Sequence, residues 1–201
     1  MSHKEAKINV KLILVGDAGV GKTSIVQRYL HDTYEQNNSP TIGAAYETKV
    51  IEIDGSMFDV NIWDTAGQES YRSLLPMFFR AASIVFIVFD VTSQRSFLNV
   101  PNWVDDVNGH IDREKNIVFA LCANKIDNET IREVTTEEIQ DLANKLKITF
   151  FETSAMTGSG IKQAFQTTLN EYASKNVKKV VSENEKIELI SNENKNNSNC
   201  C

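Results

Sequence analysis

One eight-residue stretch limits this chain more than any other: Gly16-Asp17-Ala18-Gly19-Val20-Gly21-Lys22-Thr23. It follows an apolar run, residues 10–15, that suits a buried strand, and it opens a helical pattern over residues 22–30. The spacing G-x-x-x-x-G-K-T curls the main chain so that successive N–H groups face one anion, and the helix start adds partial positive charge. The backbone from Asp17 through Ala18, Gly19, Val20 and Gly21 is therefore expected to wrap a phosphate chain, with Ser24 completing the set. Lys22 is expected to reach the β- and γ-phosphates, and the Thr23 hydroxyl to ligate Mg²⁺, a hard cation that prefers oxygen. A plain Gly-rich turn with a surface lysine is the competing interpretation. Strand, loop and helix in that order disfavour it.

Two further motifs follow in order. Asp64-Thr65-Ala66-Gly67-Gln68 comes after residues 57–63, an apolar strand ending in Trp63. A carboxylate at Asp64 can hold Mg²⁺ through water, the Gly67 N–H can meet a γ-phosphate, and Gln68 can orient a water for in-line attack. Phosphoryl transfer needs positioning and charge stabilisation more than a strong base. Thr41, within Ser39-Pro40-Thr41-Ile42-Gly43, is the natural second sensor, its hydroxyl on the metal and its N–H on the γ-phosphate. It sits in a polar, aperiodic segment, residues 31–45, expected to be mobile without ligand and released when the γ-phosphate leaves. Gln68, Lys22 and Thr41 are thus the catalytic candidates, and Thr23, Thr41 and Asp64 the metal candidates.

The third motif is Asn124-Lys125-Ile126-Asp127, after an apolar run over residues 117–123. Asp127 can accept from guanine N1–H and N2–H₂, donors that adenine does not present in that arrangement. Such a site discriminates strongly, because a mismatched base leaves buried polar groups unpaired. The Lys125 stem can lie along the base, and the Asn124 amide can tie neighbouring loops together. Ser154-Ala155 can supply an N–H to guanine O6, with Met156 packing beside the base.

The rest of the chain fits a single domain. It has 201 residues and a formal net charge of −6, which argues against a general nucleic-acid binder. No apolar run reaches the roughly 18 residues of a membrane span. Met1-Ser2-His3-Lys4 shows no apolar leader and no glycine at position 2, so neither secretion nor myristoylation is expected. Cys122, Cys200 and Cys201 do not make a disulfide framework, which suits a reducing compartment. Composition shifts near Lys175, so residues 1–175 read as the folded domain and residues 176–201 as a flexible tail that cannot bury enough apolar surface to fold.

Residues 46–53 and 57–63 read as a hairpin turning at Asp54-Gly55. Residues 83–89 and 117–123 read as strands buried on both faces, and residues 149–152 as a short last strand. Residues 96–111, 136–146 and 160–173 read as helices, with an N-cap at Thr135 or Thr136 followed by Glu138. The fold expected is a P-loop α/β three-layer sandwich: a six-stranded, mostly parallel sheet with one antiparallel edge strand and about five helices. In such sheets ligands sit beyond the carboxyl ends of the strands, where all three motifs fall.

Residues 7–173 resemble the Ras superfamily of small GTPases, and within it the Rab branch. The likeness rests on the three motifs together with Trp63-Asp64-Thr65-Ala66-Gly67-Gln68-Glu69, Tyr71-Arg72-Ser73-Leu74 and the paired Cys200-Cys201. It implies GTP/GDP and Mg²⁺ as ligands, and slow GTP hydrolysis raised by a GTPase-activating protein. It further implies reloading by a guanine-nucleotide exchange factor, and Tyr34 stacked on the guanine edge. Tyr46, Trp63 and Phe78 would form an aromatic cluster read by effectors. A Rab escort protein and a GDP-dissociation inhibitor would handle the chain, and Cys200 and Cys201 would carry geranylgeranyl groups. The protein would work as a monomer on the cytoplasmic face of intracellular membranes, cycling with the cytosol.

Ile42-Gly43-Ala44-Ala45-Tyr46 and Leu75-Pro76-Met77-Phe78-Phe79-Arg80 are most similar to early-endosomal members, which implies a role in endocytic vesicle trafficking. The tail is not polybasic, and its Ile187-Glu188-Leu189-Ile190 resembles the aliphatic segment by which Rab tails dock on their chaperones. Several positions depart from the usual pattern. Ala18 places a methyl near the γ-phosphate, Ser70 removes a basic residue, Met156 stands where Lys is usual, and Phe78-Phe79 replaces a Tyr pair. The alternative function is a GTP-gated effector-binding module with negligible hydrolysis; Ala18 favours it and Gln68 opposes it. Asp127 disfavours an adenine-nucleotide enzyme.

Overall fold

The computed structural model describes residues 7–36, 39–67, 75–111 and 116–176. The strands are β1 (Ile8–Val15), β2 (Ala44–Ile53), β3 (Ser56–Thr65), β4 (Ile84–Asp90), β5 (Val118–Asn124) and β6 (Thr149–Thr153). They form one sheet in the order β2-β3-β1-β4-β5-β6. Only β2 and β3 run antiparallel, paired without a break from Ala44↔Thr65 to Ile53↔Ser56. The hairpin closes through Asp54 (φ 49°) and Gly55 (φ 76°), the pair of positive φ values that matches strand twist in a two-residue turn.

The helices are α1 (Lys22–His31), α2 (Leu75–Phe79), α3 (Gln94–Leu98), α4 (Val100–Asn108), α5 (Thr136–Leu146) and α6 (residues 161–176). Alternation along each strand sends side chains to opposite faces, and each face has its own core. Leu12, Leu14, Phe86, Val88 and Cys122 pack on one side with Ile25 of α1 and Phe165 and Leu169 of α6. Ile13, Val85, Ile87, Phe89 and Leu121 pack on the other with Trp103 and Val107 of α4 and Ile139 of α5. Covered on both sides, β4 has no exposed residue, which is why it reads as an unbroken apolar run.

Several boundaries move for identifiable reasons. β1 starts at Ile8 because pairing with Phe58 of β3 begins there. β3 runs through Asp64 to Thr65, because Ala44 and Ala45 of β2 extend the ladder past Trp63. Asp64 is therefore a strand residue rather than the first residue of a loop. The helix expected over residues 96–111 begins at Gln94, capped by Ser93, whose side chain accepts from Ser96 N. It then breaks at Asn99 into α3 and α4, because Pro101 has no N–H to offer the preceding turn. The described part of α2, Leu75–Phe79, is too short to show a helical period. α6 includes Asn176, one residue beyond the expected domain limit.

α5 starts on a complete capping box: Thr135 Oγ1 accepts from Glu138 N at 3.2 Å and Glu138 Oε2 accepts from Thr135 N at 2.8 Å. Near the N-terminal half of α6, Phe165 stacks on Tyr29 of α1 with centroids 3.7 Å apart and tilts against Phe86 at 4.7 Å. Since Phe165 is fully buried, Phe165→Ala should cost about 3–5 kcal/mol. Urea unfolding followed by circular dichroism checks this.

Candidate functional site

The carboxyl ends of β1, β3, β4, β5 and β6 open onto one cleft, a cavity of about 330 Å³. At its floor, the chain leaves β1 through Gly16 (φ 142°), where an added Cβ would stand 2.0 Å from Val88 O. It enters α1 through Gly21 (φ 99°), where a Cβ would stand 2.4 Å from Asn124 Nδ2. Only glycine satisfies both the backbone angle and the space at these two points. No side chain caps α1, so its first N–H groups are left facing the cavity end of the loop.

Ala18, Gly19, Gly21, Lys22, Thr23 and Ser24 line the cavity, as expected. Asp17 contributes differently. Its carboxylate accepts from Asn99 Nδ2 at 2.6 Å and Trp103 Nε1 at 2.8 Å, anchoring the loop to α4. Val20 is buried, and its carbonyl is held by the Asn124 amide at 2.9 Å.

Lys22 is 5% exposed, and its ammonium donates to Gly16 O at 2.8 Å and Asp17 O at 2.9 Å. Burial lowers its pKa from 10.5 to about 8, against the opposing pull of Asp64 and Asp17. Asp64, 3% exposed, shows the mirror effect: burial raises its pKa although Thr23 and Lys22 stabilise its charge. Thr23 Oγ1 donates to Asp64 Oδ2 at 2.6 Å and lies 2.9 Å from Thr41 Oγ1, itself 3.4 Å from the same carboxylate oxygen. Among the described residues, Asp64 Oδ1 is buried with no partner.

Two hydroxyls and a carboxylate are hard oxygen donors of the kind Mg²⁺ takes, and the unpartnered Oδ1 suits a metal-bound water. The described residues hold no cluster of three or more His, Cys, Asp or Glu. An ion here would therefore take further oxygens from phosphate and water, as Mg²⁺ commonly does.

Thr41 lies against Thr23, and Gly67 against Asp17 and Lys22. A Cβ on Gly67 would stand 2.5 Å from Lys22 Nζ and from the Asp17 carbonyl, so its backbone lies against the phosphate end of the cavity. Ala66 N donates to Gly43 O at 2.8 Å, linking the segment around Thr41 to the one around Gly67. Gln68, the expected water-orienting residue, lies outside the described residues, as do Ser70 and the tail cysteines Cys200 and Cys201.

At the far end, Asn124 is the junction. Besides Val20 O, it accepts from Thr153 Oγ1 at 3.2 Å and from Ala155 N at 3.3 Å. Lys125 (φ 69°) points its ammonium back to Asp90 at 2.6 Å. Asp127 lines the cavity and accepts from Ser154 Oγ at 2.5 Å, which fixes its carboxylate edge. Ala155 and Met156 also line the cavity, as does Tyr34 from the loop after α1. Glu35, Gln36, Ser39, Pro40, Thr65 and Asn128 also line the cavity. Thr65, Ser39 and Pro40 lie within stretches singled out in the sequence, whereas Glu35, Gln36 and Asn128 are marked only by proximity in the chain to Tyr34 and Asp127.

Outside the cleft, Tyr46, Trp63 and Phe78 do meet. Ring centroids are 5.0 Å apart for the first pair and 5.7 Å for the second. Tyr46 is exposed, as are the nearby-in-sequence Ile42 and Met77.

A glycine loop opening a helix, with the Asp64–Gly67 and Asn124–Asp127 segments meeting it at one cleft of a mostly parallel sheet, has the form of a guanine-nucleotide-binding protein. The sequence model of the Ras family matches residues 11–174, and the chain belongs to that family, in its Rab branch of GTP-hydrolysing small GTPases that regulate vesicle traffic. GTP-binding protein YPT53 of Saccharomyces cerevisiae is 41% identical over 167 residues, covering 80% of this chain and 74% of its own. Ras-related protein Rab-22A of Homo sapiens is 40% identical over 156 residues, 78% of this chain and 79% of its own. Ras-related protein RABF2b of Arabidopsis thaliana is 42% identical over 158 residues, 79% of this chain and 78% of its own.

Lys22 carries a sign-specific pH dependence. Between pH 8 and 10.5 the unfolded chain still holds the proton that the fold has released, so this residue's contribution to stability rises with pH across that window. In nucleotide-free protein, the stability of wild type relative to Lys22→Met should rise there by about 3 kcal/mol. Chemical denaturation at a series of pH values checks it. Asn124→Ala should lower stability by roughly 2–4 kcal/mol, since it strands buried groups of the phosphate loop and of the turn after β6. The same denaturation assay at pH 7 checks that.

Proposed function

We propose that this chain is an endosomal membrane switch that holds GTP or GDP with Mg²⁺. In this reading Thr23, Thr41 and Asp64 share the metal, and hydrolysis lets go of two surface segments. The observation that carries the reading is the convergence of Thr23, Thr41 and the half-satisfied Asp64 carboxylate beside a desolvated Lys22. A buried, unmatched arrangement of this kind is stabilised by a ligand that brings both anionic oxygen and a cation.

Bound Mg²⁺ would supply charge neutralisation at the β- and γ-phosphates. The chain's own residues do the rest. The loop N–H groups from Ala18 to Lys22 grip the phosphates, and Lys22 exchanges its carbonyl partners for phosphate oxygen. The Thr41 and Gly67 N–H groups meet the γ-phosphate, Gln68 orients water, and Asp127 reads guanine while Tyr34 covers it. When the γ-phosphate leaves, Thr41 and Gly67 lose their shared partner, and the face around Tyr46, Trp63 and Phe78 changes shape. Effectors would read that face, and a GTPase-activating protein supplying an arginine would raise the rate by about 10³ to 10⁵.

The endosomal assignment rests on Ile42-Gly43-Ala44-Ala45-Tyr46 and Leu75-Pro76-Met77-Phe78-Phe79-Arg80. Attachment would run through geranylgeranyl groups on Cys200 and Cys201, since two chains hold a membrane where one is marginal. A Rab escort protein and a GDP-dissociation inhibitor would deliver and retrieve it.

Gln68→Leu should concentrate the full chain on endosomes and Thr23→Asn should disperse it, with fractionation and imaging as the measure. Single-turnover GTP hydrolysis should fall at least tenfold in Gln68→Leu, the scale of one lost transition-state contact. Matching distributions of the two variants would overturn the membrane cycle.

A further inference from the structure

We propose that Arg28 is the positioning residue for recognition of guanine O6, acting through the turn at residues 154–156. The inference rests on the reading of the cleft as a guanine-nucleotide site and adds a determinant that no motif contains. Arg28 lies on α1, two turns after the residues that face the phosphates. Its Nε donates to Ala155 O at 2.9 Å and its Nη2 to Met156 O at 2.8 Å. Nη1 donates to Asp32 O at 2.8 Å, closing the end of α1. One planar fork thus spans the phosphate-binding helix and the base-reading turn, 127 and 128 residues apart in sequence.

The turn itself has the form of a first helical turn. Gly158 N donates to Ser154 O at 2.8 Å, and Ser154 Oγ accepts from Thr157 N at 3.0 Å. In that geometry the N–H groups of residues 155 and 156 have no carbonyl within the turn. Ala155 N reaches Asn124 Oδ1 at 3.3 Å, and Met156 N has no partner among the described residues.

In a trans peptide the C=O and N–H point opposite ways, and the chain contains no cis peptide among its described residues. Holding Ala155 O on the α1 side therefore turns the Met156 N–H to the other side, where both residues line the cavity. The guanidinium also polarises the peptide it grips, which strengthens the N–H as a donor. A lysine could not grip both carbonyls in one plane, so Arg28→Lys keeps the charge and loses the alignment.

The test uses full-length protein and its Arg28→Lys and Arg28→Met variants, with folding checked by thermal melting. Dissociation constants are measured for GDP, 6-thio-GDP and IDP. The first analogue replaces O6 with a weak acceptor and keeps the edge that Asp127 reads; the second keeps O6 and lacks the 2-amino group. In wild type GDP should bind about tenfold tighter than 6-thio-GDP, the scale of one hydrogen bond. That ratio should collapse towards one in both variants, while the GDP-to-IDP ratio stays within about twofold. A variant that folds and keeps the GDP-to-6-thio-GDP ratio overturns the inference, and so does an equal fall in both ratios, which would mark a merely structural role. A wild-type protein that binds ADP as well as GDP would instead sink the guanine reading and this inference with it.

Discussion

The Asn124 side chain is the fixture on which the site depends. One amide accepts from β6 and from the base-reading turn and donates to the phosphate loop, so three segments far apart in sequence share one planar group. Because the group is 1% exposed, no water competes for these bonds, and losing one strands the others. The close approach at Gly21 belongs to the same arrangement, since a side chain there would occupy the place of the amide nitrogen.

Around that fixture the sheet does two jobs. Its parallel centre, covered on both faces, is rigid and apolar, and it delivers the carboxyl ends of the strands to one edge. Its antiparallel hairpin holds Tyr46 beside Trp63, which packs against the edge of one core close to the cleft. Tyr46 and Trp63 lie opposite one another on β2 and β3, one step from Ala45 and Asp64. The cleft end of β3 and these aromatic side chains thus lie on neighbouring rungs of one antiparallel ladder.

The cleft is electrostatically unfinished. Lys22 and Asp64 are each shifted toward neutrality by burial, and neither compensates the other fully. The fold tolerates this strain because it is confined to a few side chains at a strand edge, while the two hydrophobic cores supply the stability. Arrangements of this sort mark binding sites more often than structural ion pairs.

Much of this was legible before any coordinates. Motifs with fixed local geometry, such as the glycine loop, the Asp54-Gly55 turn and the Thr135–Glu138 capping box, state their own conformations, because each depends on residues a few positions apart. The buried strands were legible from their unbroken apolar character. The break at Asn99 was not, because the helical pattern on either side of Pro101 hid it.

What sequence alone determined was the class of protein, a guanine-nucleotide-binding GTPase, from residue types at set spacings. Tertiary structure decided which side chains hold the site in place. The anchoring of Asp17 by Asn99 and Trp103, the return of Lys125 to Asp90 and the fork of Arg28 join residues between 35 and 128 positions apart. No periodicity or motif encodes such pairs. They exist only because the sheet order sets β1, β4, β5 and β6 side by side and brings their loops within hydrogen-bonding distance.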